Sequence, residues 1–371
     1  MNKSPNYRCI TGARTYPQAR QHFLSAVGEA GGGLHSVRHP LPGPGGEPLY
    51  LDVASLGDAH ATQALLLLSG THGVEGYCGS MVQSCLLEEL ARTDLGAGTV
   101  VVLVHAVNPH GFAWMRRVTE DGVDLNRNFR DFTKALPATP AFNDALAACL
   151  VPARWQGPEK ISADLAFAQF QQRHGPLARG IVAGGQHTHP LAPFYGGLAP
   201  TWSNHAIRKI VADRFGAVRT AVAIDLHTGL GANGTGQMIA PGHVEEDEAR
   251  IAARLWGAHY VPPTAQGTVS YALEGGLIDA LPQMSPDTFW IRGALEFGTR
   301  PAAEVLEAMR YDHWYHAYGH ADPAEGMAVG QRMYDAFFDA SAAWCHAVVK
   351  AGIDASLCAL AHFGARAVSA T

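Results

Sequence analysis

A chain of 371 residues with 47% hydrophobic composition is long enough to bury one large core or two modest ones. Its formal net charge of -6, with no Lys/Arg run longer than two, excludes a surface built to neutralise phosphates, so no nucleic-acid partner is expected. The N-terminus has no apolar stretch behind its charges. Runs such as Ala64-Leu-Leu-Leu-Leu68 fall far short of the roughly 20 residues of a membrane helix, so neither a signal peptide nor a membrane partner is expected.

The second half of residues 1–30 has Ala19, Phe23, Leu24 and Val27 at helical spacing, and Gly31-Gly-Gly33 ends that helix. Residues 34–57 read as two strands around the turn-rich segment Pro42 to Pro48. A pattern of apolar strand, polar loop and helix follows. A strand over 61–69 leads into the loop Gly70 to Gly76 and a helix over 78–92. Further strands are predicted at 99–106, 220–226 and 289–295. Near-continuous apolar strands alternating with helices predict an α/β fold with a central mixed, largely parallel sheet flanked by helices. Residues 130–205 are less regular and rich in Pro, Gly and Ala. They read as a helical insertion that shapes a pocket, or as ordinary packing. The tail reads as helices at 301–309 and 328–350. One catalytic domain over 1–300, with its core in 48–300, and a helical extension over 301–371 packed on it account for this order. Cys9, Cys78, Cys85, Cys149, Cys345 and Cys358 are scattered with no CxxC pair, which predicts reduced thiols in a cytoplasmic protein.

Polar clusters recur where strands end, the place where open α/β sheets carry their working residues. In His72-Gly-Val-Glu75 an imidazole and a carboxylate can reach one ion if the turn curls back, and Gly70, Gly73 and Gly76 ease that turn. Alone, such a pair is also an ordinary polar loop. Ala223-Ile-Asp-Leu-His-Thr-Gly229 puts His227 just past another buried strand, where a histidine by itself reads as a core-edge residue. Together, two imidazoles and one carboxylate form the donor set of a catalytic zinc with its fourth position left for water. Asp124, in Asp124-Leu-Asn-Arg-Asn-Phe129, suits the spare N–H of a ligand histidine. Asn126 and Arg127 offer planar donors for a carboxylate. Glu296 closes an apolar strand, where a carboxylate is costly without a task or a partner.

The order His72-x-x-Glu75, Asp124-x-Asn126-Arg127, His227, Glu296 resembles the zinc carboxypeptidase superfamily. The segment Asn108-Pro-x-Gly through Asp124-Leu-Asn-Arg-Asn-Phe129 is most similar to its succinylglutamate desuccinylase/aspartoacylase-like branch, and to a bacterial group there of unassigned function. The resemblance spans roughly residues 48–300. It implies one Zn2+ per chain on His72, Glu75 and His227, with Asp124 behind His72. It implies that Asn126 and Arg127 hold a substrate carboxylate and that Arg117, or its neighbour Arg116, steadies the oxyanion. Glu296 would be the general base, and Tyr271 is the candidate for the mobile tyrosine of the peptidases. The expected activity is hydrolysis of a small carboxylate-bearing peptide or N-acyl amino acid. A deacylase rather than a peptidase is the alternative, and a catalytically inactive binding protein of the same fold is the rival from another class. The sequence leaves a homo-oligomer open.

Three further features compete for attention. His187 and His189 can touch substrate or a second ion, but more often such a pair is a polar loop. Gly229-Leu-Gly-Ala-Asn-Gly234 matches GxGxxG, yet Thr235-Gly-Gln-Met-Ile-Ala-Pro241 reads as loop and strand rather than the helix a dinucleotide site needs. His313, Trp314, Tyr315, His316, Tyr318 and His320 read as a packed helix face.

Overall fold

The structure is a computed structural model that describes residues 7–8, 10–138, 140, 142–262, 273–319 and 323–367. Cys9, Tyr271 and His320 therefore lie outside the described residues.

Helix α1 (Tyr16–Glu29) starts where the Thr15 hydroxyl accepts the N–H of Gln18, and it buries Tyr16, Ala19, Phe23, Ala26 and Val27. Strands β1 (Gly33–Pro42) and β2 (Pro48–Gly57) form an antiparallel hairpin. Next come β3 (Gln63–Ser69), α2 (Gly76–Leu90), the short β4 (Thr93–Asp94), β5 (Thr99–His105) and α3 (Pro109–Ala113). The 130–205 segment contributes α4 (Asn143–Leu150), α5 (Pro158–His174) and α6 (Leu177–Ala183), and α7 (Trp202–Phe215) follows across its end. The chain continues through β6 (Thr220–Asn233), β7 (Gly236–Ile239), α8 (Glu246–Trp256), β8 (Tyr260–Val261), α9 (Leu277–Met284) and β9 (Phe289–Gly298). It ends with α10 (Ala302–Trp314), α11 (Pro323–Phe337), α12 (Ala342–His362) and β10 (Arg366–Ala367).

Among the described residues, eight strands form one mixed sheet in the order β1-β2-β5-β3-β6-β9-β7-β8. The centre, β5-β3-β6-β9, is parallel throughout, whereas β2 and β7 join it antiparallel. A second sheet pairs β4 with β10. Strand β3 shows why the apolar runs are continuous. Leu65 and Leu67 enter one apolar cluster with α1, α2 and the tail helices, while Ala64, Leu66 and Leu68 enter another with α7 and α9. Because β3, β6 and β9 run in one direction, their carboxyl ends open on the same edge. His72, Glu75, His227 and Glu296 all sit at that edge.

The tail differs from expectation in one respect. A single helix was expected over 328–350, but the chain breaks after Phe337, and Ser341 caps a new helix by accepting the Trp344 N–H. Helix α12 is long and apolar enough, by length and composition, to cross a membrane. In this fold its face of Trp344, Val348, Val349, Ile353 and Leu360 is buried in the same core cluster as α2.

Candidate metal centre

The loop after β3 is shaped by two glycines. Gly70 adopts φ +66°, a conformation that favours glycine. A side chain on Gly73 would put its Cβ 2.1 Å from the carbonyl carbon of Gly111. The loop therefore lies flat on the neighbouring chain, where the Gly73 and Val74 N–H groups donate to the carbonyls of Arg117 and Arg116 at 3.1 and 2.8 Å. A short 3-10 turn, Gly73–Glu75, then brings His72 and Glu75 to one side.

Both imidazoles present Nδ1 to Glu75. His72 Nδ1 lies 2.8 Å from Oε1 and His227 Nδ1 lies 2.8 Å from Oε2. One candidate ligand atom from each of the three residues lies within 4.8 Å of the others, and all three side chains are buried. The far nitrogens are also held. His72 Nε2 is 3.2 Å from Asp124, and His227 Nε2 is 2.9 Å from Asp225. Each ring thus has its Nε2 fixed by an aspartate and its Nδ1 turned inward onto Glu75, and a carboxylate on the outer nitrogen is the arrangement that sets tautomer and basicity in metal-binding histidines. The donor set of two imidazoles and one carboxylate, buried and converging, fits a zinc ion.

Asp225 is a residue that the sequence reading passed over. It stands two positions before His227 on the same strand, so both side chains leave the same face. Thr71 fixes it further by donating its hydroxyl to both carboxylate oxygens. Asp225→Asn is expected to weaken zinc binding by about 10- to 100-fold with the fold intact, as read by competition against a fluorescent chelator.

The charges form one network. Burial pushes the Glu75 carboxyl up, but His72 and His227 outweigh it and hold the group below the usual carboxylate range. Asp124 is likewise buried, yet Arg117, Arg127 and His72 hold it well down. Burial lowers His227, and the carboxylates of Asp225 and Glu75 more than reverse this, so its proton is held well above the ordinary imidazole value. A proton on Nδ1 and a metal ion compete for the same lone pair. Glu296 lies opposite His227 in the β6–β9 register. Burial and the Glu75 charge push Glu296 up to about 8, against His227, the N–H of Leu230 and Arg117. A cation among His72, Glu75 and His227 would pull it back down.

The two adjacent arginines part company. Arg117 donates Nη1 to Glu75 and Nε to Asp124, at 3.0 and 3.1 Å, and lines the cavity. Arg116 instead forks onto Asp312 of α10 at 3.0–3.1 Å. Burial opposes ionisation of Asp312, but the guanidinium and the nearby His316 and His313 hold its carboxyl below the usual range. The Arg116–Asp312 contribution is therefore full above the unfolded carboxyl value and is lost as pH falls through the folded one. Asp312→Asn strands a buried cation and is expected to cost about 3–5 kcal/mol in urea unfolding at pH 7.

Asn126 approaches His227 Nε2 with its amide at 3.4 Å and accepts the Leu277 N–H at 2.9 Å. Arg127 is buried on the cavity wall, where its guanidinium donates to the carbonyls of Ala183 and Asn126. A cavity of about 410 Å³ gathers His72, Glu75, Arg117, Asn126, Arg127, His227 and Glu296 on its lining. Asp124 stands behind His72, off that lining. His187 and His189 do not line the cavity: they bond the Gly197 carbonyl and Asp144 at 2.6 and 2.9 Å. The GxGxxG match lies on β6 and the turn into β7, with no helix opening from it. His313 is buried and bonds the Leu191 carbonyl at 3.1 Å, and Trp314 stacks on Tyr311, as a packed face would.

A family model described as "Protein of unknown function (DUF2817)" matches residues 13–351. The chain belongs to the DUF2817 family. No curated protein sequence matches this DUF2817 chain. Among solved structures it is similar to carboxypeptidase A from Helicoverpa armigera, with 14% identity over 90% of this chain and 77% of that one and a TM-score of 0.46. It is similar to succinylglutamate desuccinylase from Chromobacterium violaceum, with 15% identity over 84% and 72% of the two chains and a TM-score of 0.38. An aspartoacylase family protein from Mesorhizobium loti shares 16% identity over 78% and 67%, with a TM-score of 0.35. These likenesses are loose, and none assigns a reaction to the DUF2817 chain.

Proposed function

We propose that this protein is a zinc-dependent amide hydrolase, metallocarboxypeptidase-like, that cleaves a small carboxylate-bearing peptide or N-acyl amino acid. One observation carries the reading. Two imidazole Nδ1 atoms and the Glu75 carboxylate converge in a buried cavity, with Glu296 beside them. His72, Glu75 and His227 would hold the ion. Zinc bound by such a set acidifies water and polarises a carbonyl.

The rest is done by side chains. Glu296 accepts a proton as water adds to the carbonyl carbon, and it returns that proton to the nitrogen as the C–N bond breaks. Arg117 keeps a guanidinium at the cavity, fixed by Glu75 and Asp124, where negative charge develops on the carbonyl oxygen. Asn126 and Arg127 stand on the wall where a substrate carboxylate would be held. A substrate that fills the largely apolar cavity would displace water from it and so strengthen each of these interactions.

The deciding experiment combines elemental analysis with a screen of dipeptides and N-acyl amino acids, with and without a chelator. About one zinc per chain and chelator-sensitive release of free amine are expected, and the better substrate class separates peptidase from deacylase. A protein that stays inactive after zinc is restored would instead be a binding protein of this fold.

A further inference from the structure

The cavity does not stop at the metal centre. One side of it is built by segments beyond the resembling core or inserted into it: α5, α6, α10 and the end of α11. Those segments present Phe167, Val182, Leu306, Met309 and Phe337 to the cavity. The polar side chains that α5 and α6 add to its lining, Gln171 and Arg179, are exposed to solvent. Ion pairs clasp α5 to α10 and fix the width of this arm. Lys160 bridges Asp164 and Glu307, and Arg310 bridges the same two carboxylates, at 2.7–3.0 Å. The cations are largely buried and the two carboxylates partly exposed, and a single such pair contributes modestly, but four charges in one network set a spacing. The Arg310 guanidinium also donates to the carbonyls of Leu150 and Cys149, which ties down α4. The arm is therefore preformed, apolar and continuous with the site of the proposed chemistry.

We infer that the substrate carries a sizeable apolar group, aliphatic or aromatic, that fills this arm while its amide lies over His72, Glu75 and His227. The inference rests on the hydrolase reading and narrows its substrate class. An acetyl or succinyl group would leave the arm wet. Burying carbon there is favourable by an amount that grows with each methylene. The cavity volume, about 410 Å³, is that of a site enclosing a whole small ligand.

The apolar group can sit on the acyl side or on the amino-acid side, and two ligand series tell these apart. One is N-acetyl-, N-butanoyl-, N-hexanoyl- and N-octanoyl-alanine. The other is N-acetyl-alanine, -valine, -leucine and -phenylalanine. Kd is measured by calorimetry on the Glu296→Gln protein, so that ligand is not consumed, and kcat/KM on the wild type. Affinity is expected to rise about fourfold per methylene along one series until the arm is full. Ala303→Trp, at an exposed position lining the arm, is expected to cut the ratio of octanoyl or phenylalanyl to acetyl-alanine affinity at least tenfold. A ratio within one protein does not depend on how much of it is folded. Affinity that is flat or falls along both series overturns the inference, as does an unchanged ratio in Ala303→Trp. Affinity that rises along a series without wild-type turnover supports the arm and overturns the hydrolase reading.

Discussion

Glu296→Gln is expected to retain about one zinc per chain and to lose about 100- to 10,000-fold in kcat, a barrier increase of about 3–5 kcal/mol. The carboxylate stands beside His227 on the neighbouring strand and one of its oxygens accepts the Leu230 N–H at 3.1 Å. Glutamine keeps the shape and that hydrogen bond but accepts no proton at neutral pH. The loss should fall on kcat with KM nearly unchanged, because the proton moves only as the bond forms. In the wild type, kcat/KM should rise with pH through an acid limb set by Glu296. In the variant that limb should vanish. Metal content measured on the same sample separates a lost base from a lost ion. Wild-type turnover with zinc bound would place the base elsewhere.

His227→Ala should have a larger effect still, with zinc lost and activity below detection. The ring separates two buried carboxylates, Glu75 and Asp225, each within 2.9 Å of one of its nitrogens. Removing it leaves both acids with one cationic or donor partner fewer, at an expected cost of about 3–5 kcal/mol in chemical denaturation. Combining His227→Ala with Asp225→Asn should recover part of that stability and none of the zinc. Recovery of both would mean that the imidazole is structural and not a ligand. The metal-stripped wild type provides a pH test. The folded-state pKa of His227 is raised, so its contribution is complete below the unfolded value of about 6.5 and is lost as pH rises through the folded value. Stripped protein should therefore weaken on the alkaline side, and zinc should flatten that slope by replacing the proton.

Much of this was readable from residue order. The doubly apolar strands β3, β5, β6 and β9 announce a parallel sheet core because alternate residues must serve both faces. A single histidine or carboxylate at the end of such a strand is also an ordinary polar loop or core-edge residue, so His72, Glu75, His227 and Glu296 stand out only as a set that recurs at strand ends. Asp225 was within reach of the two-residue period of a strand, but its role depends on which nitrogen of His227 faces it. Arg116 and Arg117 are equal in sequence. Only the packing of α10 gives Asp312 to one and leaves the other beside Glu75. The break at 338–341 was signalled by Asp339 and the Ser341 cap, and was masked by the apolar run on either side. The helices of 130–205 do line the cavity, one of the two readings the sequence offered for that segment, but the apolar arm itself is not legible there, because its wall joins α5 and α10, elements some 140 residues apart.

The adjacent arginines also bear on how this protein can be cut. Their backbone carbonyls hold the loop that carries His72 and Glu75. Arg117 braces Glu75, and Arg116 reaches across to α10. A clone ending near residue 300 would match the tidy limit of the resembling core, yet it would delete Asp312 and one wall of the cavity. The tail is therefore part of the smallest unit worth expressing, and a shortened protein that fails to work would say nothing against the chemistry.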